Sequence, residues 1–145
     1  TQEKLLQEDK KMAELIYVQD NGKLAFGDNT LDAKAKKDGF EFGGDLYKVK
    51  TFKEITKLER NGMFVYESVP GTIVTDFSAS EKEISFTAEG TTDTQVTVEM
   101  EPEKEFKLFV DGINIGKVKT NLGGKLVLSL QLTAGKSSAV RVVKQ

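Results

Sequence analysis

Oxygen-bearing side chains are concentrated in one short stretch, where Asp28, Asn29 and Asp32 follow each other closely. Carboxylate and amide oxygens are the ligands that calcium prefers, and a calcium ion takes roughly six to eight of them. The spacing does not follow the alternating acidic pattern of an EF-hand loop. The stretch is therefore either a calcium-binding loop or a solvated polar loop.

Four aromatic residues are candidates for contact with a sugar ring: Phe40, Phe42, Tyr47 and Tyr66. Glycines flank the first two, and a glycine lets a ligand approach the backbone closely. The chain has no Trp, so a carbohydrate site would depend on Phe and Tyr. Aromatic residues at every second position are also typical of a strand that points into a core. The alternatives are thus a ligand platform and a set of core residues.

The chain has few of the residue types that commonly carry out catalysis, because it contains neither His nor Cys. This excludes Ser–His and Cys–His pairs, disulfides, and metal sites that depend on imidazole or thiolate. The acidic residues Glu99, Glu101, Glu103 and Glu105 could supply the carboxylate pair of a glycoside hydrolase. Their position around a predicted turn favours a solvated edge instead. We therefore expect a protein that is not an enzyme and that uses no cofactor.

Charge and hydropathy argue against two further classes of partner. The chain has 21 Lys and Arg residues against 23 Asp and Glu residues, for a net charge of −2, and no basic run. Nucleic-acid binding needs a stripe of cations that neutralises phosphates. No apolar run approaches the roughly 18 residues of a membrane-spanning helix. We expect neither nucleic-acid binding nor membrane insertion.

The elements that position these residues are predicted to be mainly strands. After Pro70, apolar and polar residues alternate, with turn signals about every eight to twelve residues. The clearest alternation is that of Leu126, Leu128, Leu130 and Leu132. This pattern predicts an antiparallel β-sandwich over residues 72–145.

The first half of the chain is predicted to elaborate this sandwich within one domain. Residues 1–16 place apolar side chains at helical spacing among good helix formers, which predicts an N-terminal α-helix. Residues 17–71 carry hairpin signals at Asn21-Gly22 and Asn61-Gly62 and predict hairpins and loops packed on the sandwich. Within them, residues 28–37 are polar and are interpreted as a loop.

Apolar residues that are out of phase with the predicted strands indicate an interaction surface. Phe109, Val127 and Val143 would face outward and form a patch for a partner. Leu5 and Met12 lie on the apolar stripe of the predicted helix. The alternative is that this helix covers the outer face of one sheet. The expected partner is a protein or a neighbouring domain of the same chain.

Residues 106–112, 115–121 and 124–130 resemble the last strands of immunoglobulin-like and fibronectin-like modules. The shared pattern is a strand, an Asp-Gly turn, a Gly-containing strand and a strand that begins with Gly-Lys. Such modules recur in bacterial surface proteins and glycan-processing enzymes, where they space or assist a catalytic domain or bind glycan or protein.

The resemblance implies an immunoglobulin-like sandwich that acts as a non-catalytic accessory or interaction module. Such a module would belong to a larger bacterial protein, outside the cell or on its surface. Two alternatives stay open. The first is a carbohydrate-binding module that uses Phe and Tyr platforms, and the second is a structural subunit of a surface or phage assembly.

Overall fold

The computed structural model describes residues 14–145, and every regular element among them is a β-strand. The strands are β1 (Ile16–Val18), β2 (Leu24–Phe26), β3 (Ala35–Phe42), β4 (Asp45–Phe52), β5 (Ile55–Arg60), β6 (Met63–Val69), β7 (Ile73–Ala79), β8 (Glu83–Glu89), β9 (Thr94–Glu99), β10 (Glu105–Val110), β11 (Ile113–Lys119), β12 (Lys125–Leu130) and β13 (Ser137–Lys144).

The strands form two sheets in which all neighbouring strands are antiparallel. The seven-stranded sheet has the order β1-β2-β7-β8-β13-β10-β11, and the six-stranded sheet has the order β12-β9-β6-β5-β4-β3. Strands from residues 17–71 therefore belong to both sheets, and β13 lies inside the seven-stranded sheet, between β8 and β10. The prediction of a mainly β, two-sheet antiparallel architecture is confirmed.

The core lies between the inner faces of the two sheets. Tyr66 of the six-stranded sheet meets three rings of the seven-stranded sheet edge to face, with centroid distances of 5.3 Å to Phe26, 6.2 Å to Phe77 and 5.3 Å to Phe86. Edge-to-face pairs at this distance are the preferred geometry of aromatic rings and add to the gain from apolar burial. This aromatic cluster joins the two sheets into one core.

A buried group of hydroxyls, the hydroxyl cluster, adjoins the aromatic cluster at Tyr66. It consists of Thr51, Thr56, Ser68 and Thr72, all fully buried, together with the phenol of Tyr66. The Tyr66 hydroxyl and the Thr72 hydroxyl are 2.9 Å apart, and Ser68 Oγ lies 2.8 Å from the same Thr72 oxygen. Within residues 14–145 no buried side-chain nitrogen or oxygen lacks a partner. The cluster is therefore satisfied internally, as a buried polar network must be.

The predicted N-terminal helix over residues 1–16 is wrong where the structure describes it. No residue from 14 to 145 is helical, and Ile16 begins β1, where it is buried opposite Phe26. Residues 1–13 of that prediction lie outside the described residues. The helical spacing of apolar side chains is a weak local preference, and pairing with β2 overrides it at Ile16.

The predicted loop over residues 28–37 is wrong at its end, because β3 begins at Ala35. This strand is at the edge of the six-stranded sheet, and most of its residues are exposed on both faces. Residues 36–39 are exposed on both faces and so have no reason to alternate apolar and polar residues, which is why this part of β3 lacks the period that identifies strands. Phe40 and Phe42 at its end keep that period.

Candidate functional site

The three residues predicted as calcium ligands lie between β2 and β3, and their side chains have different partners. Asp28 Oδ1 accepts hydrogen bonds from the backbone N–H of Thr30, at 2.9 Å, and from its hydroxyl. Asp32 is 96% exposed and lies 3.7 Å from Lys53 Nζ, and Asn29 is half-buried. Across residues 14–145, no three acidic side chains are grouped closely enough to hold a metal ion. Calcium binding by this stretch stays a prediction.

The four predicted aromatic residues lie mainly in the core. Tyr66 is fully buried, Tyr47 is 6% exposed, and Phe40 and Phe42 are half-buried against the core. Burial raises the pKa of Tyr66 to about 12, although hydrogen bonds from Thr72 and Ser68 act in the opposite direction. These rings therefore do not form one exposed platform, and only Phe40 and Phe42 keep part of their surface accessible.

The three out-of-phase residues face outward on different sheets. Phe109 and Val143 lie on neighbouring strands of the seven-stranded sheet, opposite Arg141 and Lys107 respectively. Val127 lies on β12 of the six-stranded sheet and is 53% exposed. The three side chains therefore cannot form one apolar patch. Leu5 and Met12 lie outside the described residues.

The structure instead shows a groove of about 450 Å³ on the outer face of the seven-stranded sheet. It crosses strands β7, β8, β13 and β10. Its lining residues are Lys23, Asp76, Ser85, Phe86, Thr87, Phe109, Gly112, Ala139, Val140 and Arg141.

Small side chains on two paired strands form the floor of the groove and leave space above the sheet. Ser85 and Thr87 of β8 stand opposite Arg141 and Ala139 of β13. The neighbours of Ser85 and Thr87 along β8 are buried in the core, so strand alternation turns the two hydroxyls outward. Two hydroxyls and a methyl group are therefore presented on a rigid sheet.

One wall of the groove is Asp76, in the β7 bulge between Thr75 and Ser78. Its backbone is left-handed, with φ of 53°, a conformation that Asp adopts more readily than most residues. The Asp76 carboxylate accepts hydrogen bonds from the amides of Asn21, at 2.8 Å, and Gln19, at 3.3 Å, and the Asp76 N–H donates to Gln19 Oε1 at 2.7 Å. The loop between β1 and β2 thus holds the acidic side of the groove in place.

The opposite wall combines an aromatic ring with a guanidinium group. Arg141 and Phe109 are direct neighbours on β13 and β10, and the guanidinium carbon lies 5.7 Å from the ring centroid. Arg141 Nε also donates to Glu83 Oε1 at 2.8 Å. The ring and the carboxylate hold the guanidinium from two sides, which leaves its remaining N–H groups as oriented donors.

The groove presents several kinds of hydrogen-bonding group to a ligand. It offers hydrogen-bond acceptors at Asp76, donors at Arg141, and hydroxyls on the floor between them. Asp76 is the one carboxylate among the described residues that line the groove. No helix among the described residues could cross a membrane.

Sequence reasoning identified Phe109 as an outward-facing residue but missed Asp76 and Arg141. The available signal was the pair Ser85 and Thr87, two small polar residues that alternate with the apolar residues of β8. Their proximity to Arg141 depends on the pairing of β8 with β13, which are far apart in the sequence.

No protein-family model, curated protein or solved structure matches this chain. The resemblance to immunoglobulin-like and fibronectin-like modules therefore stays a prediction. The surfaces of the molecule are the basis for assigning a function.

Proposed function

We propose that this protein is a non-catalytic binding module and that the groove on its seven-stranded sheet binds a glycan. The observation that carries the proposal is the groove itself. It places a carboxylate, a guanidinium and two hydroxyls around one concavity on a paired sheet. Its volume of about 450 Å³ lies within the roughly 300–1,000 Å³ of small-molecule sites.

The chemistry of the lining supports a sugar as the ligand. Sugar hydroxyls both donate and accept hydrogen bonds, and the groove offers an acceptor at Asp76, a donor at Arg141 and groups of both kinds at Ser85 and Thr87. The apolar side of a sugar ring can pack against Phe109, which belongs to the same wall as Arg141. Polar groups fixed by their neighbours lose little entropy when a ligand binds.

A glycan array followed by calorimetry with the sugars that bind tests this proposal. Thr87→Arg fills the floor of the groove, and Thr97→Arg is the matched control, because Thr97 is also a half-buried outward residue inside a strand but belongs to the six-stranded sheet. We expect Thr87→Arg to weaken binding by more than about tenfold, which corresponds to the loss of one or two hydrogen bonds.

The control should keep its affinity within about twofold, and both variants should melt close to the parent. If no glycan binds the parent, or if both variants lose affinity equally, the groove is not a glycan site.

A structural subunit of a larger assembly is the second candidate function, supported by the edge strand β11. This strand borders the seven-stranded sheet, and Ile113 and Ile115 are 67% and 56% exposed. An exposed edge with apolar side chains is a template for pairing with another chain. Light scattering over a range of protein concentrations would show oligomers if this function is correct, and a monomer throughout would argue against it.

A further inference from the structure

We propose that the outer face of the six-stranded sheet holds an oxyanion site, specific for a sulfate or phosphate group on a ligand. The site is a cluster of five lysines, Lys34, Lys36, Lys48, Lys50 and Lys57, which we call the lysine cluster. It is separate from the groove, which lies on the outer face of the opposite sheet, and it does not depend on the glycan proposal.

Strand register brings three of these lysines side by side. Lys36 of β3 is directly opposite Lys50 of β4, and Lys50 is directly opposite Lys57 of β5. Directly opposed residues of antiparallel strands have Cβ atoms about 4.5–5.5 Å apart. Lys48 lies two positions from Lys50 on the same face of β4. The ammonium groups therefore converge from three adjacent strands.

A small concavity lies among these side chains. Its volume is about 70 Å³, and its lining residues are Lys36, Lys48, Lys50, Lys57 and Glu59. On the same measure a single water molecule needs about 10–15 Å³, so the concavity has room for one tetrahedral oxyanion. It is too small for a sugar ring, which distinguishes it from the groove.

Few carboxylates balance this positive charge. Glu59 lies 3.7 Å from Lys57, and Glu67 is opposite Lys57 on β6. Within residues 14–145, Lys57 is the one member of the lysine cluster that forms an ion pair. Lys34, Lys36, Lys48 and Lys50 have no such partner there. The chain as a whole has a net charge of −2, so the local excess of cations is not a general property of its surface.

The facing lysines repel each other when no anion is bound. Like charges directly opposite each other destabilise a sheet. The charge of Lys34 is the main cause that lowers the pKa of Lys50, followed by partial burial and by the charges of Lys57 and Lys36, while Glu67 acts in the opposite direction. A bound oxyanion would reverse these effects, because it would lie among the ammonium groups and accept hydrogen bonds from them.

Aromatic rings on both sides of the lysine cluster indicate that the oxyanion is part of a larger ligand. Lys34 Nζ lies 5.8 Å from the ring centroid of Phe52, and Lys57 Nζ lies 6.0 Å from that of Phe64. Both rings are half-buried on the outer face, so they offer apolar contact next to the cations. A sulfate or phosphate ester provides both features, an anion and an adjoining carbon skeleton.

Titration of the protein with sodium sulfate, inorganic phosphate, glucose 6-sulfate and glucose 6-phosphate, followed by NMR amide shifts, tests the proposal. Shifts should cluster on β3, β4 and β5, and the esters should bind more tightly than the inorganic ions. Lys50→Gln should weaken binding by at least about tenfold, because it removes a hydrogen bond between two charged groups. The matched control is Lys107→Gln, which removes an outward lysine inside β10 of the other sheet and should leave the affinity within about twofold.

The melting temperature separates a lost site from a lost fold. Because Lys50→Gln removes a repelling charge, this variant should melt no lower than the parent. Thr87→Arg blocks the groove on the opposite sheet and should bind these anions as tightly as the parent. The oxyanion proposal and the glycan proposal can therefore fail independently of each other. The proposal is overturned if none of the four probes binds saturably, if Lys107→Gln weakens binding as much as Lys50→Gln, or if the protein binds only vesicles of phosphatidylcholine and phosphatidylserine.

Discussion

Thr56→Val is a sharp test of the hydroxyl cluster, because it removes one oxygen from the interior with little change in shape. Thr56 Oγ1 donates a hydrogen bond to the Thr72 carbonyl at 2.8 Å and accepts one from the Thr72 backbone N–H at 3.0 Å. It also lies 2.8 Å from Thr51 Oγ1. Since its single proton points to the Thr72 carbonyl, the Thr51 hydroxyl is the donor in that pair.

The expected cost follows from the groups that would be left without partners. Valine leaves the N–H and the carbonyl of Thr72 unpaired in a fully buried position, and a buried unsatisfied group costs about 1–3 kcal/mol. We expect the free energy of unfolding to fall by about 3 kcal/mol, a large share of the roughly 5–15 kcal/mol of a typical domain. The melting temperature should fall by about 6–12 °C.

Urea denaturation of the parent, Thr56→Val and Thr97→Val measures this effect. Thr97 faces outward on β9, so its replacement should change the free energy of unfolding by less than about 0.5 kcal/mol. The slope against urea concentration should be the same for all three proteins if the fold is unchanged. Equal stability of Thr56→Val and Thr97→Val would refute the assignment of a structural role to the Thr56 hydroxyl.

Two further predictions concern the same region. Gly27→Ala should destabilise the protein by at least about 2 kcal/mol in urea denaturation, because a Cβ there would lie 2.4 Å from the Thr72 carbonyl oxygen. Gly22→Ala has a similar positive φ but open space around it, so it should cost only about 1 kcal/mol, and equal costs would contradict the steric argument. The other further prediction concerns pH. Burial raises the pKa of Tyr66 to about 12 in the folded protein, whereas an unfolded tyrosine has a pKa of about 10. The stability contributed by the neutral Tyr66 phenol is therefore complete below about pH 10 and is lost as the pH rises towards 12. Tyr66→Phe should remove this alkaline loss and the last step of phenolate absorbance, and an unchanged titration would show that Tyr66 is not the group concerned.

The turns of this protein were predictable from its sequence because their chemistry is local. Asn61-Gly62 and Asp111-Gly112 form two-residue loops in which all four residues have positive φ, between 51° and 80°. Two-residue hairpins with a type I′ turn require this conformation, and Asn, Asp and Gly adopt it most readily. The pairs β5–β6 and β10–β11 follow directly from these residues.

The sheet order was not predictable, because it depends on pairs that are distant in the sequence. Phe26 pairs with Val74, and Tyr66 pairs with Val98. These contacts place the first half of the chain in both sheets, whereas local periodicity is clear only after Pro70. Ile16 and residues 35–37 were misassigned for different reasons. Ile16 belongs to a strand because it pairs with Phe26, and residues 35–37 belong to the part of β3 that is mostly exposed on both faces.

Both proposed sites depend on this distant pairing to different degrees. The groove could not be seen in the sequence, because Asp76, Ser85 and Arg141 meet only through the order of β7, β8 and β13. Part of the lysine cluster could be predicted from the sequence. Phe52 pairs with Ile55 across a short turn, and this register places Lys50 opposite Lys57.

The interior position of β13 has a consequence for how the protein is made. A ribosome releases the chain from its N-terminal end, and domains fold as their segments emerge. The β10–β11 hairpin cannot join β8 until residues 137–144 have left the exit tunnel, because β13 lies between them. Until then β8 and β10 each present an open edge to other nascent chains. Completion of the seven-stranded sheet thus waits for the synthesis of residues 137–144, and a ribosome that stops before residue 137 releases a product with two unpaired edges.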